Sequence, residues 1–204
     1  MRLLQASIAI GIAAFAAVAS GSVPPPAFQA LNLLSNIDTV PSRDQIDFAY
    51  GGSPTDALQS LVELSANSGA DPGIRLRAVY ALAKYCGDAE TSTPCASTDL
   101  AHQSLTSLIA TTSGAASGTP VLLLRAAVET IGPMRVSSDV SLLIPLLGHG
   151  SRDIRASTAR ALQDLCNTQA ITPLRQRYAL ESTEQVKLAI SEALRILGQC
   201  SSNQ

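Results

Sequence analysis

The sequence contains no tryptophan, and its aromatic residues are limited to three phenylalanines and four tyrosines among 204 residues. So few rings argue against a β-sandwich, whose core draws on aromatic and β-branched side chains. Apolar residues nevertheless make up 46% of the chain. A core of alanine, leucine, isoleucine and valine suits closely packed helices, and the length supports one domain with a genuine core. We therefore predict an all-α fold.

The chain also lacks the motifs of common catalytic, cofactor and metal sites. It has no H-E-x-x-H pair, glycine-rich phosphate loop, dinucleotide fingerprint, G-x-S-x-G elbow or C-x-x-C spacing. His149 lies near Ser151, but a nucleophilic triad also needs an orienting carboxylate and an oxyanion hole, and Ser151 has a simpler role as a helix cap. His102 lies on a predicted helix. We predict no enzyme activity, no catalytic residue, no cofactor and no metal site.

An excess of positive charge is absent as well. The formal net charge is −2, which gives no electrostatic footprint for nucleic acid. The charge is uneven, because basic residues outnumber acidic ones from Ser151 onward. Two readings remain open for this half of the chain: it favours an acidic partner, or it is an ordinary solvated helix surface.

The first twenty residues have the composition of an export signal. Met1-Arg2 is a short basic start, Leu3 to Val18 is an almost uncharged apolar stretch, and small residues follow up to Gly21. The stretch is shorter than the ~20 residues of a spanning helix. We predict a cleaved signal peptide over residues 1–20, with an uncleaved anchor as the alternative. The mature protein is then periplasmic or extracellular, without membrane insertion.

Four cysteines fit an oxidising compartment. Cys86 and Cys95 are separated by a short polar loop, whereas Cys166 and Cys200 each follow an apolar helical pattern. Of the three possible pairings we favour Cys86–Cys95 with Cys166–Cys200. The alternative is four buried free thiols.

Internal repetition organises the rest of the chain. Each repeated segment has an apolar residue, usually a basic residue after it, and a leucine-like residue seven positions further on. In the third segment, Ile154, Thr158 and Leu162 share one helical face, and the fourth has the same geometry. Asp71-Pro72 and Thr119-Pro120 each place a capping oxygen before a helix-starting proline. The segments run over 74–82, 123–131, 154–162 and 186–194.

Another apolar-periodic stretch precedes each segment, so the repeating unit is a helix–turn–helix. One such hairpin cannot bury both apolar faces alone, and neighbours must stack into a solenoid. The second helices then form one surface and the first helices the other. The preceding stretches run over 55–65, 98–111, 138–147 and 168–180.

These hairpins resemble HEAT repeats, an armadillo-like family of α-solenoids. Ile144-Pro145-Leu146-Leu147, then Asp153-Ile154-Arg155 and Ala159-Arg160-Ala161-Leu162, is similar to the family's first helix, acidic turn and "V-R-x-x-A-x-x-A-L" second helix. Ile171-Thr172-Pro173-Leu174 followed by Val186-Lys187 resembles it again. The resemblance implies an α-α superhelix of about four repeats in an exported protein of bacterial type.

The domain boundaries follow from these patterns. We predict a linker and N-terminal capping helices over residues 21–54, a HEAT-like repeat domain over 55–200 and a frayed tail over 201–204. The capping hairpin covers the exposed apolar face of the first repeat.

The resemblance implies a protein-binding scaffold of the cell envelope or exterior, with a partner that the sequence does not identify. Two alternatives are an accessory subunit or small enzyme on a HEAT-like scaffold, such as a cofactor-attachment protein, and an architectural module in a larger assembly. Basic residues recur at one repeat position. One reading is a ladder of cations presented to a ligand; the other, which is common in the family, is pairing with turn carboxylates such as Asp71 and Asp153 or with the carbonyls of a neighbouring repeat. This structural ladder is Arg75, Arg155 and Lys187. The candidate binding residues on the second helices are Arg77, Lys84, Arg160, Lys187, Glu192 and Arg195.

Overall fold

A computed structural model describes residues 28–35, 39–87 and 93–201. Within these ranges the protein has ten α-helices and no β-strand. The predicted signal peptide and the linker up to residue 27 lie outside the described residues, as do residues 88–92 of the disulfide loop and the tail after Ser201. No described helix combines the length and apolar character required to span a membrane.

Eight of the helices form four consecutive hairpins, and two shorter helices precede them. We call the first helix of each hairpin the A helix and the second the B helix. The short pair is α1 (Phe28–Ser35) and α2 (Arg43–Ala49). The hairpins are α3 (Pro54–Ala66) with α4 (Pro72–Leu82), α5 (Leu100–Thr112) with α6 (Gly118–Ile131), α7 (Val140–Leu143) with α8 (Arg152–Asp164), and α9 (Ile171–Leu180) with α10 (Glu184–Ser201).

The four B helices stack side by side in chain order, α4 on α6, α6 on α8 and α8 on α10. Each A helix packs against its own B helix, and α3 also packs against α5. The protein is therefore an all-α solenoid of HEAT-like hairpins, as predicted. The predicted second helices do form one layer and the first helices the other.

The short N-terminal pair covers the first hairpin. Helix α1 packs on α4 and α2 packs on α3, and the pair contributes the fully buried side chains of Leu34 and Ile46 to the core. Ser42 starts α2 with a reciprocal capping box, in which its hydroxyl accepts from the Gln45 amide and its own amide donates to the Gln45 side chain. The pair therefore occupies the position of a terminal cap.

Small residues let the B helices approach one another closely. Helix α8 buries every residue from Ile154 to Ala159, because it has a B helix on each side and an A helix beneath it. Where α6 ends, a Cβ added to Gly132 would lie 2.7 Å from the Cα of Ala161 on α8. No larger residue fits at this position without displacing a helix.

The A helix of the third repeat is short. Helix α7 has four residues and continues as a 3₁₀ helix over Ile144–Gly148, which contains Pro145. Proline lacks the amide that an α-helix would use, and the tighter 3₁₀ turn accommodates its ring. In the fourth repeat Pro173 lies in the first turn of α9, where the missing amide costs nothing.

One predicted proline cap is confirmed and the other is wrong. The Asp71 carboxylate accepts hydrogen bonds from the amides of Gly73 at 2.8 Å and Ile74 at 3.1 Å, which caps α4. Helix α6, in contrast, begins one residue before Thr119, and its N-terminus has no side-chain cap. Thr119 therefore lies within the first turn of α6 and cannot cap it.

Both favoured disulfides are present, and each connects two consecutive repeats. Cys86 follows the 3₁₀ turn after α4 and pairs with Cys95 in the loop before α5. Cys166 follows α8 and pairs with Cys200 near the end of α10. The second bridge closes a segment that contains the whole of α9 and most of α10.

Replacing Leu162 by alanine tests the stacking of the B helices. Leu162 is fully buried, so truncation leaves a void and should lower the free energy of unfolding by about 2–5 kcal/mol. Leu188→Ala is the matched control, because Leu188 is 69% exposed and its truncation should change stability by less than about 0.5 kcal/mol. Denaturant melts that give equal losses for the two variants would contradict this packing.

The Cys166→Ser/Cys200→Ser double variant tests the second bridge. A cross-link between residues 34 apart restricts the unfolded chain, so its removal should cost about 3–4 kcal/mol under oxidising conditions. In excess reductant the wild type and the variant should melt at the same temperature. A difference that persists in reductant would mean that the serines themselves disturb the fold.

Candidate binding surface

The B helices present one side chain per turn away from their A helices. We call this set the outward face. Its composition is polar with two exposed leucines, Leu122 and Leu188. Its residues are Arg77, Tyr80 and Lys84 on α4 and the following 3₁₀ turn, Leu122, Arg125 and Glu129 on α6, Asp153, Ser157 and Arg160 on α8, and Leu188, Glu192 and Arg195 on α10.

Glu129 joins three B helices at the centre of this face. Its carboxylate accepts hydrogen bonds from Tyr80 on α4 at 2.7 Å, Arg125 on its own helix at 2.7 Å and Ser157 on α8 at 2.8 Å. Burial alone would raise the pKa of Glu129, but these three donors outweigh it and hold the pKa below its ordinary value. Burial and the bond to Glu129 both raise the pKa of Tyr80. The carboxylate therefore stays ionised and fixes the spacing of three helices.

The six predicted binding residues fall into two groups. Lys187 pairs with Glu184 at 3.5 Å, and Glu192 pairs with Arg195 through two bonds of 2.8 and 2.6 Å, so these charges are partly neutralised on α10. Arg77, Lys84 and Arg160 are different. Within residues 28–35, 39–87 and 93–201, no carboxylate lies at ion-pair distance from any of these three cations.

Arg75 and Arg155 of the predicted ladder bind groups within the chain, although neither pairs with Asp71 or Asp153. Arg75 donates twice to the Ser65 carbonyl at 3.2 Å, which ties α4 to the end of α3. Asp71 caps α4 instead, and Asp153 contacts the exposed Arg152 at 3.8 Å. The Asp71 carboxylate is already engaged by backbone amides, so it is a poor partner for a side chain one turn further on.

Arg155 makes the most extensive contact between repeats. It donates to the carbonyls of His149 at 2.9 Å and Gly150 at 3.1 Å in its own turn, and to both oxygens of Glu181 at 2.7 and 2.9 Å. Glu181 belongs to the turn between α9 and α10, so the bidentate pair joins the third repeat to the fourth. The planar guanidinium suits this geometry, because its donors match a carboxylate in two parallel bonds.

Glu181 is buried and accepts hydrogen bonds from three further groups besides Arg155. Arg177 on α9 donates at 2.7 and 3.1 Å, and the amides of Ser182 and Thr183 donate at 3.1 and 2.9 Å. The Arg155 guanidinium, more than any other group, holds the pKa of Glu181 far below its ordinary value. Sequence reasoning missed this residue. The sequence did indicate a turn carboxylate as a partner of Arg155, but we looked for this carboxylate in the turn that precedes Arg155. Glu181 could have been found by considering the corresponding turn of the next repeat.

The two histidines lie in different parts of the fold, and each binds a partner within the protein. His149 accepts from the Ser151 amide at its Nδ1, 3.0 Å away, and its Nε2 donates to the Ala115 carbonyl at 3.0 Å, so both ring nitrogens are engaged. Ser151 precedes α8, but its hydroxyl makes no capping bond. The imidazole thus ties the turn before α8 to the loop after α5.

His102 forms a buried pair in the A-helix layer. Its Nε2 lies 2.8 Å from Asp139, which belongs to the 3₁₀ turn before α7, and both side chains are almost fully buried. Burial raises the pKa of Asp139, and the contact with His102 partly offsets this. The Nδ1 of His102 is the one buried side-chain nitrogen or oxygen in the described part of the chain without a partner. The pair links the second repeat to the third.

One group of potential metal ligands occurs among the described residues. It comprises Cys86, Cys95 and Asp99, whose ligand atoms lie within 4.8 Å of one another. The two sulfurs are bonded to each other, and Asp99 accepts from the amides of Gly87 and Ala96, so all three groups have structural roles in the loop.

The fold and the inter-repeat contacts define a class, the helix-hairpin solenoids with HEAT-like repeats. Comparison with protein families agrees for the C-terminal part: the family described as HEAT repeats matches residues 110–195, from the last turn of α5 into α10. This segment contains the third and fourth repeats, where the sequence resemblance is most complete. Neither a search of curated proteins nor a search of solved structures found a match.

Glu181→Gln tests the contact between the third and fourth repeats. The substitution keeps the side-chain shape but removes the charge opposite the buried Arg155, so it should lower the free energy of unfolding at neutral pH by about 3–5 kcal/mol. Glu192→Gln, in an exposed pair on α10, should change stability little.

The stability difference between wild type and Glu181→Gln should depend on pH in a predictable direction. Because the folded-state pKa of Glu181 lies below its ordinary value of 4.5, its stabilisation is complete above that pH and is lost as the pH falls further. The stability gap between wild type and Glu181→Gln should therefore shrink on acidification. A gap that widens on acidification would contradict the assignment.

Proposed function

We propose that this protein is a non-catalytic scaffold of the cell envelope or exterior that binds a protein partner on its outward face. The main supporting observation is that, within the described residues, Arg77, Lys84 and Arg160 have no ion-pair partner, whereas neighbouring charges on the same surface are paired. Cations left uncompensated on a rigid surface attract a complementary acidic partner and orient it.

The rigidity of the outward face supports binding in preference to chemistry. Glu129 fixes three B helices, and the exposed Leu122 and Leu188 lie on the same face. A preorganised surface loses little conformational entropy on association, so a modest number of contacts gives measurable affinity. The match of residues 110–195 to HEAT repeats, which generally mediate protein–protein interaction, agrees with this proposal.

The proposed location outside the cytosol rests on the cysteines. All four are paired in disulfides, and such bridges persist in oxidising compartments. Quenching whole cells in acid, denaturing the protein in the presence of a thiol-reactive polymer and then comparing mobility on a gel tests this point. We expect no modification before reduction. Modification of four thiols without added reductant would place the protein in a reducing compartment.

Charge reversal tests the outward face. Arg77→Glu/Arg160→Glu should reduce the amount of cross-linked partner recovered with the full chain from its native cells by about tenfold. Arg175→Glu is the control, because Arg175 is exposed on α9, an A helix, and has no ion pair within the described residues. Circular dichroism should show that both variants stay folded. Equal recovery with the two variants would refute this surface as the binding site.

A further inference from the structure

A cavity lies at the C-terminal ends of α4 and α6, between the disulfide loop and the turn that follows α6. Its volume is about 300 Å³, at the lower end of the range for ligand sites. Apart from one guanidinium its walls are apolar. The lining consists of the Cys86–Cys95 disulfide, Ala83, Pro94, Pro133, Met134 and Arg135.

The loop side of this cavity is held in place by several independent contacts. The disulfide closes the loop, and Asp99 accepts from the amides of Gly87 at 3.3 Å and Ala96 at 2.9 Å. Gly87 has a φ of +71°, and a Cβ there would lie 2.6 Å from the Thr93 carbonyl oxygen. The described residues of this wall are therefore held by bonds within the protein.

The opposite side is fixed by the contact between α6 and α8. Gly132 packs directly on Ala161, and the following 3₁₀ turn ends at Arg135, which has a φ of +58°. Outside glycine this left-handed conformation is uncommon and most often occupied by asparagine or aspartate. An arginine held there at the edge of a cavity costs stability, and such strain is concentrated at functional sites.

The charge at the cavity has no partner in the described part of the chain. No carboxylate lies at ion-pair distance from Arg135, and Asp164 is affected by its charge only at longer range. Lys84, which follows the cavity-lining Ala83, is exposed and also has no ion pair with a described residue. An apolar cavity with two cations nearby that no described carboxylate neutralises is complementary to an apolar side chain flanked by carboxylates.

We propose that this cavity binds an apolar side chain of an acidic peptide segment, whose carboxylates pair with Arg135 and Lys84. The inference rests on the proposed function and makes it more specific, because the cavity lies at the edge of the outward face and would anchor one segment of the partner. A buried apolar anchor surrounded by charge pairs is the arrangement in which a few residues supply most of the binding energy.

The sequence supplies a reporter for this site. The chain has two methionines, Met1 and Met134, and Met134 is in the cavity wall. In full-length protein labelled with ¹³C-methyl methionine, titration with acetyl-Glu-Leu-Glu-amide up to about 10 mM should give a saturable shift of the Met134 methyl signal. Acetyl-Glu-Gly-Glu-amide and acetyl-Lys-Leu-Lys-amide should give none. No shift with the first peptide, or an equal shift with the lysine peptide, would overturn the proposal.

Two variants separate the contribution of the Arg135 charge to peptide binding from that of the shape of the cavity. Arg135→Asn removes the guanidinium but keeps a residue that tolerates the left-handed conformation, so the protein should remain folded and bind the peptide about tenfold more weakly. Ala83→Leu fills the cavity and should abolish the shift while both cations remain. Arg175→Gln should leave the titration unchanged. Unaltered binding by Arg135→Asn and Ala83→Leu would refute the site.

The same variants distinguish this proposal from the one on which it rests. If Arg77→Glu/Arg160→Glu loses the cross-linked partner while Arg135→Asn and Ala83→Leu retain it, the outward face binds the partner and the cavity proposal is wrong. If all variants retain the partner, the proposed function fails as well. Loss of the partner in both sets supports the two proposals together.

Discussion

Each helix hairpin in this chain has more apolar surface than its own two helices can cover, and the remainder must be buried by the next hairpin. The B helices show this constraint most clearly, because α6 and α8 each have a B helix on both sides and bury almost everything except one outward stripe. Alanines and Gly132 at these contacts bring the backbones close together. The outward face exists because stacking leaves only that stripe uncovered.

Apolar stacking alone does not fix how one repeat sits on the next, and each junction has additional directional bonds. Between the first and second repeats these are the Cys86–Cys95 disulfide and the bond from Tyr80 to Glu129. Between the second and third, Ser157 bonds to Glu129 and His102 bonds to Asp139. The third and fourth repeats are joined by Arg155 with Glu181 and by a second disulfide. Every junction therefore has at least two such links, which restrict sliding of the helices and keep the outward face rigid.

The sequence predicted the parts of this structure that depend on local pattern. The spacing of Ile154 and Leu162 located α8, and Asp71-Pro72 located the start of α4, because helix periodicity and capping involve residues within a few positions of one another. Thr119 does not cap α6 because the helix already begins at Gly118, one residue earlier. The Thr-Pro dipeptide alone does not indicate this earlier start.

The contacts between repeats, and the cavity, could not be predicted from local sequence patterns. Glu181 lies 26 positions from Arg155, and Asp139 lies 37 positions from His102, so their pairing follows from which turns become neighbours after stacking. The same is true of the cavity, whose two walls come from different repeats. The candidate binding residues were predicted from helical position. Position alone could not separate Arg77 and Arg160, which have no ion pair among the described residues, from the paired Glu192 and Arg195.

The central claim is that bonds between repeats make the four hairpins one cooperative unit. Native-state hydrogen exchange, with α8 and α10 compared by mass spectrometry or NMR under oxidising conditions, tests it most directly. If the hairpins form one unit, the slowest amides of both helices exchange with the same free energy of opening, equal to that of global unfolding. Much faster exchange throughout α10 than in α8 would show instead that the last hairpin opens on its own.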